Sequence, residues 1–386
     1  MPSARLELWM GRVVPTPVSA AIINAVDRVE VRQKSQGRSA FQLSLLVQRR
    51  AFPEDDYALL AGPFSPLDPT TRVIVMAEVN GFRNVLIDGF VTHQQLAPSG
   101  GRDGMAHITL MGEDVSVRMD LDESSREFPA MPPYAIAAFI VLTYPELGLK
   151  PLPIPPIPPY PPPNPLVEVP LQHGTDYAYL NQLAAEYGYV FRVQPTPLPT
   201  VNVAYWGPDI RVGVLPQPAL TVAQASATNV DEMNFTYDVM QPFAIGGRVL
   251  DGLLNRQFPI QTALIPSDPY AKRPPVLVQA PNFWRLQLRK FVVGGNLPEA
   301  LTRAQITTTL SQQTVVQATG RLDPFRYGQL LRCYESVTVR GAGNTYDGVY
   351  FVQELTTTIE RGGMKQNFVL TRGGLGTWLE EVPFGF

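Results

Sequence analysis

The chain is 386 residues long, 45% hydrophobic and only 17% charged, with a formal net charge of −3 at pH 7. That length exceeds one ordinary core and predicts two to four domains. The near-neutral balance, with no run of five basic residues, gives no support to nucleic-acid specificity. The most apolar stretch, residues 134–142, falls well short of the about 20 residues that span a bilayer, so no membrane insertion is expected. The first residues lack a basic region followed by an apolar run, so synthesis in the cytoplasm is expected. Cys333 stands alone, and a small core residue is a better reading of it than a nucleophile. The 39 prolines favour turns, edges and connectors over long helices.

Residues 1–125 predict a first antiparallel β module. Phe41, Leu43, Leu45 and Val47 alternate onto one face of a strand. Strands at 73–79 and 84–91 are joined by Asn80-Gly81, a pair that accepts positive φ, and 107–112 closes the set. Short strands separated by turns about every ten residues predict a small barrel or sandwich. Residues 126–200 predict a middle α+β region, with a short helix at 134–142. Residues 151–170 hold eleven prolines, a polyproline-II-like surface insertion or spacer that cannot enter a sheet centre. A helix at 176–187 follows, capped by Thr175 or Asp176 and stopped at Gly188. Tyr177, Leu180, Leu183 and Tyr187 recur on one of its faces, which packing explains without a ligand. A strand at 189–193 comes next.

Residues 201–250 and 291–376 predict a second β module, interrupted by a loop over 251–290 and followed by a tail at 377–386. Its helix spans 298–313. Its strands lie near 315–320, 329–340, 348–359 and 364–372, with Val349, Phe351, Phe368 and Leu370 as the candidate core. Gly341 and Gly343 sit in a Gly-Ala-Gly-Asn turn. A strand starting near Gly348 follows it, so a hairpin suits the turn better than a phosphate-binding loop, which needs a following helix. Asp120, Asp122 and Glu123 read as a solvated acidic turn. His93, His107 and His173 lack metal-ligand spacing, and no nucleophile elbow or zinc motif appears. No catalytic, cofactor-binding or metal-binding residue is predicted.

Several segments carry a family likeness. They are Val315-Val316-Gln317-Ala318-Thr319-Gly320-Arg321-Leu322-Asp323, then Tyr327-Gly328-Gln329-Leu330-Leu331-Arg332, the run from Gly341 to Val352, and Met364 to Arg372. Gly174-Thr175-Asp176 with Tyr179-Leu180 and Tyr187-Gly188-Tyr189 adds to them. Together they resemble the late control D family, the central hub proteins of contractile phage tails and related injection machines, and the hub-like part of type VI secretion spike proteins. The resemblance implies a mainly β fold with some α: two small antiparallel, tube-like β-barrels around a helix-containing middle domain. It implies a structural protein without cofactors. It further implies a homotrimer that adapts a sixfold inner tube to a threefold spike carried on a separate chain. Wedge or LysM-type adaptor proteins would be neighbours in the baseplate of an assembled injection particle or virion tail. The alternatives are a hub-like protein of a non-contractile tail and, from another class, a glycan-degrading tail enzyme.

Overall fold

In the computed structural model, residues 4–12, 14–49, 71–98, 104–155, 169–209, 217–251, 256–265, 268, 270–274, 285–288 and 297–377 are described. The first module comprises β1 (Ala4–Gly11), β2 (Thr16–Pro17), α1 (Ala20–Ala25), β3 (Val26–Lys34), β4 (Ala40–Gln48), β5 (Arg72–Val79), β6 (Phe82–Pro98) and β7 (Met105–Asp114). Its strands run β3-β4-β7-β6-β5-β1-β2, all antiparallel. Asn80 and Gly81 turn the β5–β6 hairpin at φ 51° and 85°. Phe41, Leu43 and Leu45 alternate inward and share one core with Leu8, Val29, Val75, Ile87 and Leu110. Each such side chain contributes about 1.5–3 kcal/mol of burial. Six strands around one core curl into a barrel-like wrap. Among the described residues no ladder joins β1 to β3; Ile22 and Ile23 of α1 pack against the core instead.

The middle region contains β8 (Glu123–Glu127), α2 (Pro133–Leu142), β9 (Leu149–Pro153), β10 (Leu171–Thr175), α3 (Asp176–Glu186), β11 (Tyr189–Pro195) and β12 (Asn202–Pro208). The hydroxyl of Thr175 accepts from the Ala178 amide and caps α3, and Gly188 follows its end at φ 65°. Leu180 and Leu183 are buried in a core with Ile136, Ile140, Phe191 and Trp206, while Tyr177 and Tyr187 are half-buried against it.

Two expectations need correction here. Residues 202–208 were expected to begin the second module, yet β12 pairs antiparallel with β11 and parallel with β9. The proline-rich stretch was expected to be a detached spacer, yet its first residues form β9. Prolines are tolerated there because β9 is an edge strand, where missing donors cost no ladder bond. The Ile154 amide donates to the Trp206 carbonyl at 2.8 Å, and the Pro170 carbonyl accepts from Phe128 at 3.0 Å. Residues 156–168 lie outside the described residues.

The second module comprises β13 (Gln217–Thr221), β14 (Glu232–Tyr237), β18 (Val316–Leu322), β19 (Ser336–Arg340), β20 (Gly348–Glu360) and β21 (Gly363–Arg372). Between β14 and β18 lie β15 (Phe243–Asp251), β16 (Arg256–Gln261), β17 (Arg285–Leu288) and α4 (Leu297–Gln313). The short α5 (Pro324–Tyr327) follows β18. The expected loop over 251–290 thus contains two strands, which flank β15 and form a small sheet that packs on α4 through Ile245, Val249, Ile260 and Ala304. Their sequences hid this because β16 includes Pro259 and β17 is only four residues long. The strand expected at 329–340 begins only at Ser336, and Cys333 sits in the turn before it.

The inward residues of β20 also differ from expectation. Tyr350 and Val352 enter the core with Phe368 and Leu370. Val349 is half-buried, and Phe351, though 2% exposed, is on the opposite face, paired with Thr371. A bulge between Val352 and Glu354 causes this: inward positions are even-numbered before it and odd-numbered from Leu355 on. Gly341 and Gly343 take φ 90° and 84° in the β19–β20 turn, and a Cβ on Gly348 would lie 2.7 Å from the Arg372 guanidinium.

The two modules share a strand plan. In chain order, β1, β3, β4, β5, β6 and β7 correspond to β13, β14, β18, β19, β20 and β21. Both sets have the same neighbours, β3-β4-β7-β6-β5-β1 against β14-β18-β21-β20-β19-β13. One departure is that β13 runs parallel to β19. The modules are fused, because the second half of β20 pairs antiparallel with β3, from Glu354 opposite Lys34 to Glu360 opposite Arg28. The result is a single thirteen-stranded sheet. Phe368→Asp places an unpaired carboxylate in the second core and should abolish cooperative folding of that module, a cost of several kcal/mol. Thr356→Ser on the outer face should stay within about 0.5 kcal/mol of the parent. Thermal melts followed by circular dichroism distinguish the two; a stable, cooperative Phe368→Asp protein would refute the core assignment.

Candidate functional site

The feature with functional potential is an extended surface, the outer face of the strands β14-β18-β21-β20-β3-β4-β7. Register places Asn234, Thr319 and Val369 side by side. Thr356 and Asn367 are likewise paired, as are Thr358 and Lys365, Glu30 and Gln42, and Ser44 and Thr109. Nearly all these side chains are hydroxyls, amides or paired charges. Alternation dictates this, since the opposite positions fill the two cores.

The charges on this face neutralise one another. Arg28 meets Glu30 at 2.7 Å and Glu360 at 3.4 Å, Arg32 meets Glu354 at 2.7 Å, and Arg321 approaches Glu232 at 3.8 Å. Exposed pairs of this kind contribute at most about 1 kcal/mol each. Their consequence is a wall whose paired charges leave little net field. Two shallow depressions, of 370 and 460 Å³, open onto it and share Glu30 and Arg32.

Behind the face, buried arginines fix the modules against the middle region. Arg72 and Asp88 form a two-pronged pair at 2.7 Å each, both nearly fully buried. Asn202 of β12 donates to the same carboxylate at 2.8 Å, and the Leu147 carbonyl accepts from Arg72 at 3.0 Å. Arg192 of β11 pairs with Asp209 at 2.8 Å, and Asp209 also accepts from Ser35 at 3.3 Å. The Arg192 guanidinium lies between the rings of Tyr205 and Tyr334, 4.6 and 4.9 Å from their centroids. Tyr334 adopts φ 69°, costly for a bulky residue, and its hydroxyl shares a 3.1 Å hydrogen bond with Ser39. Beneath Ser39, burial pushes the Asp114 carboxyl up to about 6, against hydrogen bonds from Ser116 and from the Ser39 amide. Arg38 lies 3.9 Å over the Tyr177 ring and pairs with Glu113 and Asp120.

Asp120 is therefore no solvated turn residue. Burial raises its carboxyl, but the Thr175 hydroxyl and Arg38 outweigh that and hold it below the ordinary range. Asp122 and Glu123 are exposed as expected. His93, His107 and His173 are exposed on separate strands, and among the described residues no cluster of three His, Cys, Asp or Glu could hold a metal. Burial pushes the Cys333 thiol far up.

Sequence reasoning missed the arginine locks. Nothing in the residue pattern around Arg72 or Arg192 separates a buried arginine from an exposed one. Arg72→Ala should cost about 3–5 kcal/mol by leaving Asp88 buried and unpaired, whereas Arg72→Met with Asp88→Leu should cost much less. Urea denaturation of both variants measures this; equal, small losses would show that the pair does not hold the interface. Native protein at pH 8 should leave Cys333 unreactive toward a thiol reagent, with full modification on unfolding. Rapid native labelling would place the thiol at the surface.

No family model matches the sequence, and no curated protein matches it. Solved structures do match, across nearly the whole chain. A tail protein from Neisseria meningitidis MC58 aligns with TM-score 0.61 at 14% identity, covering 97% of this chain and 98% of its own. The 43 kDa tail protein of prophage MuSo2 from Shewanella oneidensis aligns with TM-score 0.63 at 13% identity, covering 96% and 99%. An Escherichia coli component of the type VI secretion system, itself similar to bacteriophage T4 tail proteins, aligns with TM-score 0.52 at 12% identity, covering 93% and 77%. The chain has the fold of these tail and secretion-system proteins.

Proposed function

We propose that this protein is a structural hub in the baseplate of a contractile injection system or phage tail. In this reading three copies form a ring that joins a sixfold inner tube to a threefold spike on a separate chain, with wedge or adaptor proteins around it. The observation that carries it is the pair of modules with one strand plan fused into one sheet. A threefold object meets a sixfold one through equivalent contacts only if each subunit carries an internal repeat. Three chains with two modules each supply six similar positions, related by steps of about 60°. The face suits the wall of a passage through such a ring, because charges paired within the surface leave little field to hold charged cargo. The fold likeness to tail proteins supports the same reading.

Native mass spectrometry at micromolar concentration should find three copies, and negative-stain projections should show a ring with six lobes. A protein that stays monomeric or dimeric, or a ring of three lobes only, would overturn the reading. In the assembled particle, antibody labelling should place the chain at the tube–spike junction.

A further inference from the structure

The fused sheet contains one complete module-to-module joint and the two unmatched halves of a second. The complete joint uses β20, a long strand with a bulge at Val352/Glu354. Ahead of the bulge it pairs with β19; beyond it, its free edge accepts β3. Its counterpart β6 is also long and has a bulge at Val91/His93. Ahead of that bulge β6 pairs with β5, but beyond it residues 92–98 pair only with β7 among the described residues. The counterpart of β3 is β14, which pairs only with β18 among the described residues. The two open edges lie at opposite ends of an eight-strand run, and among the described residues no ladder joins them within the chain.

We propose that β14 of one copy adds to the 92–98 edge of β6 in the next copy, repeating between chains the β3–β20 joint within the chain. The contact is head-to-tail, and with a rotation of about 120° between copies, as the trimeric reading requires, it closes into a ring of three copies. This rests on the trimeric reading above and specifies its interface.

The internal joint fixes the register. The β6–β7 and β20–β21 ladders align His93 with Glu354, Gln95 with Thr356 and Ala97 with Thr358. The β3–β4 and β14–β18 ladders align Arg28 with Glu232, Glu30 with Asn234 and Arg32 with Thr236. Thr358 faces Glu30 and Thr356 faces Arg32 in the existing joint. Ala97 therefore faces Asn234 of the next copy, Gln95 faces Thr236, and Gln94 faces Tyr237.

Independent features suit this register. The Gln94 side-chain carbonyl and the Tyr237 hydroxyl are both buried without a hydrogen-bond partner within the chain, and the pairing sets them opposite each other. Buried polar groups are rarely left unpaired. Leu96, 37% exposed on the same inward parity as Gln94, would be opposite the half-buried Phe235. The pairing also removes two open strand edges, which otherwise invite aggregation.

The test introduces Ala97→Cys with Asn234→Cys in the full chain. Cross-strand neighbours bring Cβ atoms within disulfide reach. Mild oxidation should give a covalently closed species at three times the chain mass on a non-reducing gel, while Ala97→Cys with Glu232→Cys, two positions out of register, should not. Thr358→Cys with Glu30→Cys should close within one chain and shows that the joint tolerates the bond. Hydrogen exchange on the unsubstituted protein gives a second reading: amides 94–97 and 233–236 should gain protection on trimer formation. Trimers by mass without either the in-register crosslink or the added protection would overturn the strand pairing and leave the hub reading standing. A protein that forms no trimer and no crosslink would overturn both.

Discussion

The ladder between β3 and the second half of β20 is the constraint from which the rest follows. It makes one strand serve two cores. Tyr350, Val352 and Leu355 pack into the second core, while Ile359, at the far end of the same strand, packs against the first. β21 does likewise, with Phe368 and Leu370 in one core and Met364 in the other. Leu330 and Leu331 then enter the first and second cores from consecutive positions of the linking loop. Gln366 holds that loop by bonding both the Leu331 amide, at 2.8 Å, and its carbonyl, at 3.1 Å. The modules cannot rotate against each other without breaking a sheet and splitting two cores, so their relative orientation is set by covalent strands and not by a soft interface.

Burial of charge does the corresponding work toward the middle region. The Arg72–Asp88 and Arg192–Asp209 pairs sit where module strands meet β11 and β12. Such pairs add little net stability because desolvation offsets attraction, but they tolerate only one geometry. A hydrophobic contact would allow sliding; the two-pronged Arg72–Asp88 pair, with backbone carbonyls and Asn202 on the remaining donors and acceptors, does not. Tyr334 belongs to the same logic, since its left-handed backbone is held by Ser39 on one side and Arg192 on the other.

Much of this fold was legible in the sequence, and the failures have physical causes. Phe41, Leu43 and Leu45 could be read because β4 alternates without interruption. Thr175 could be read as a cap because the helix signal follows it directly. The inward set of β20 was misread because a bulge reverses parity in mid-strand and leaves no residue signature. β9 was obscured by prolines that only an edge strand accepts, and β16 and β17 by sequences whose pairing partner, β15, is what makes them strands. The arginine locks were hidden because a buried Arg and an exposed one are the same letter. The polar face was visible only as the other half of the alternation, and its continuity across modules required the β3–β20 pairing.

That continuity also explains the composition. A sheet that keeps one face wet over seven strands needs polar side chains there, yet only 17% of the chain is charged. Thr319, Thr356, Thr358, Asn234, Asn367 and Gln42 meet the need with uncharged groups that also suit strands or their edges. The charges that remain are placed where they cancel: Arg32 against Glu354 and Arg28 against Glu360 straddle the joint between modules. Like charges facing each other across that joint would repel and weaken it; opposite charges set across it remove the repulsion and leave the two modules free to share one sheet.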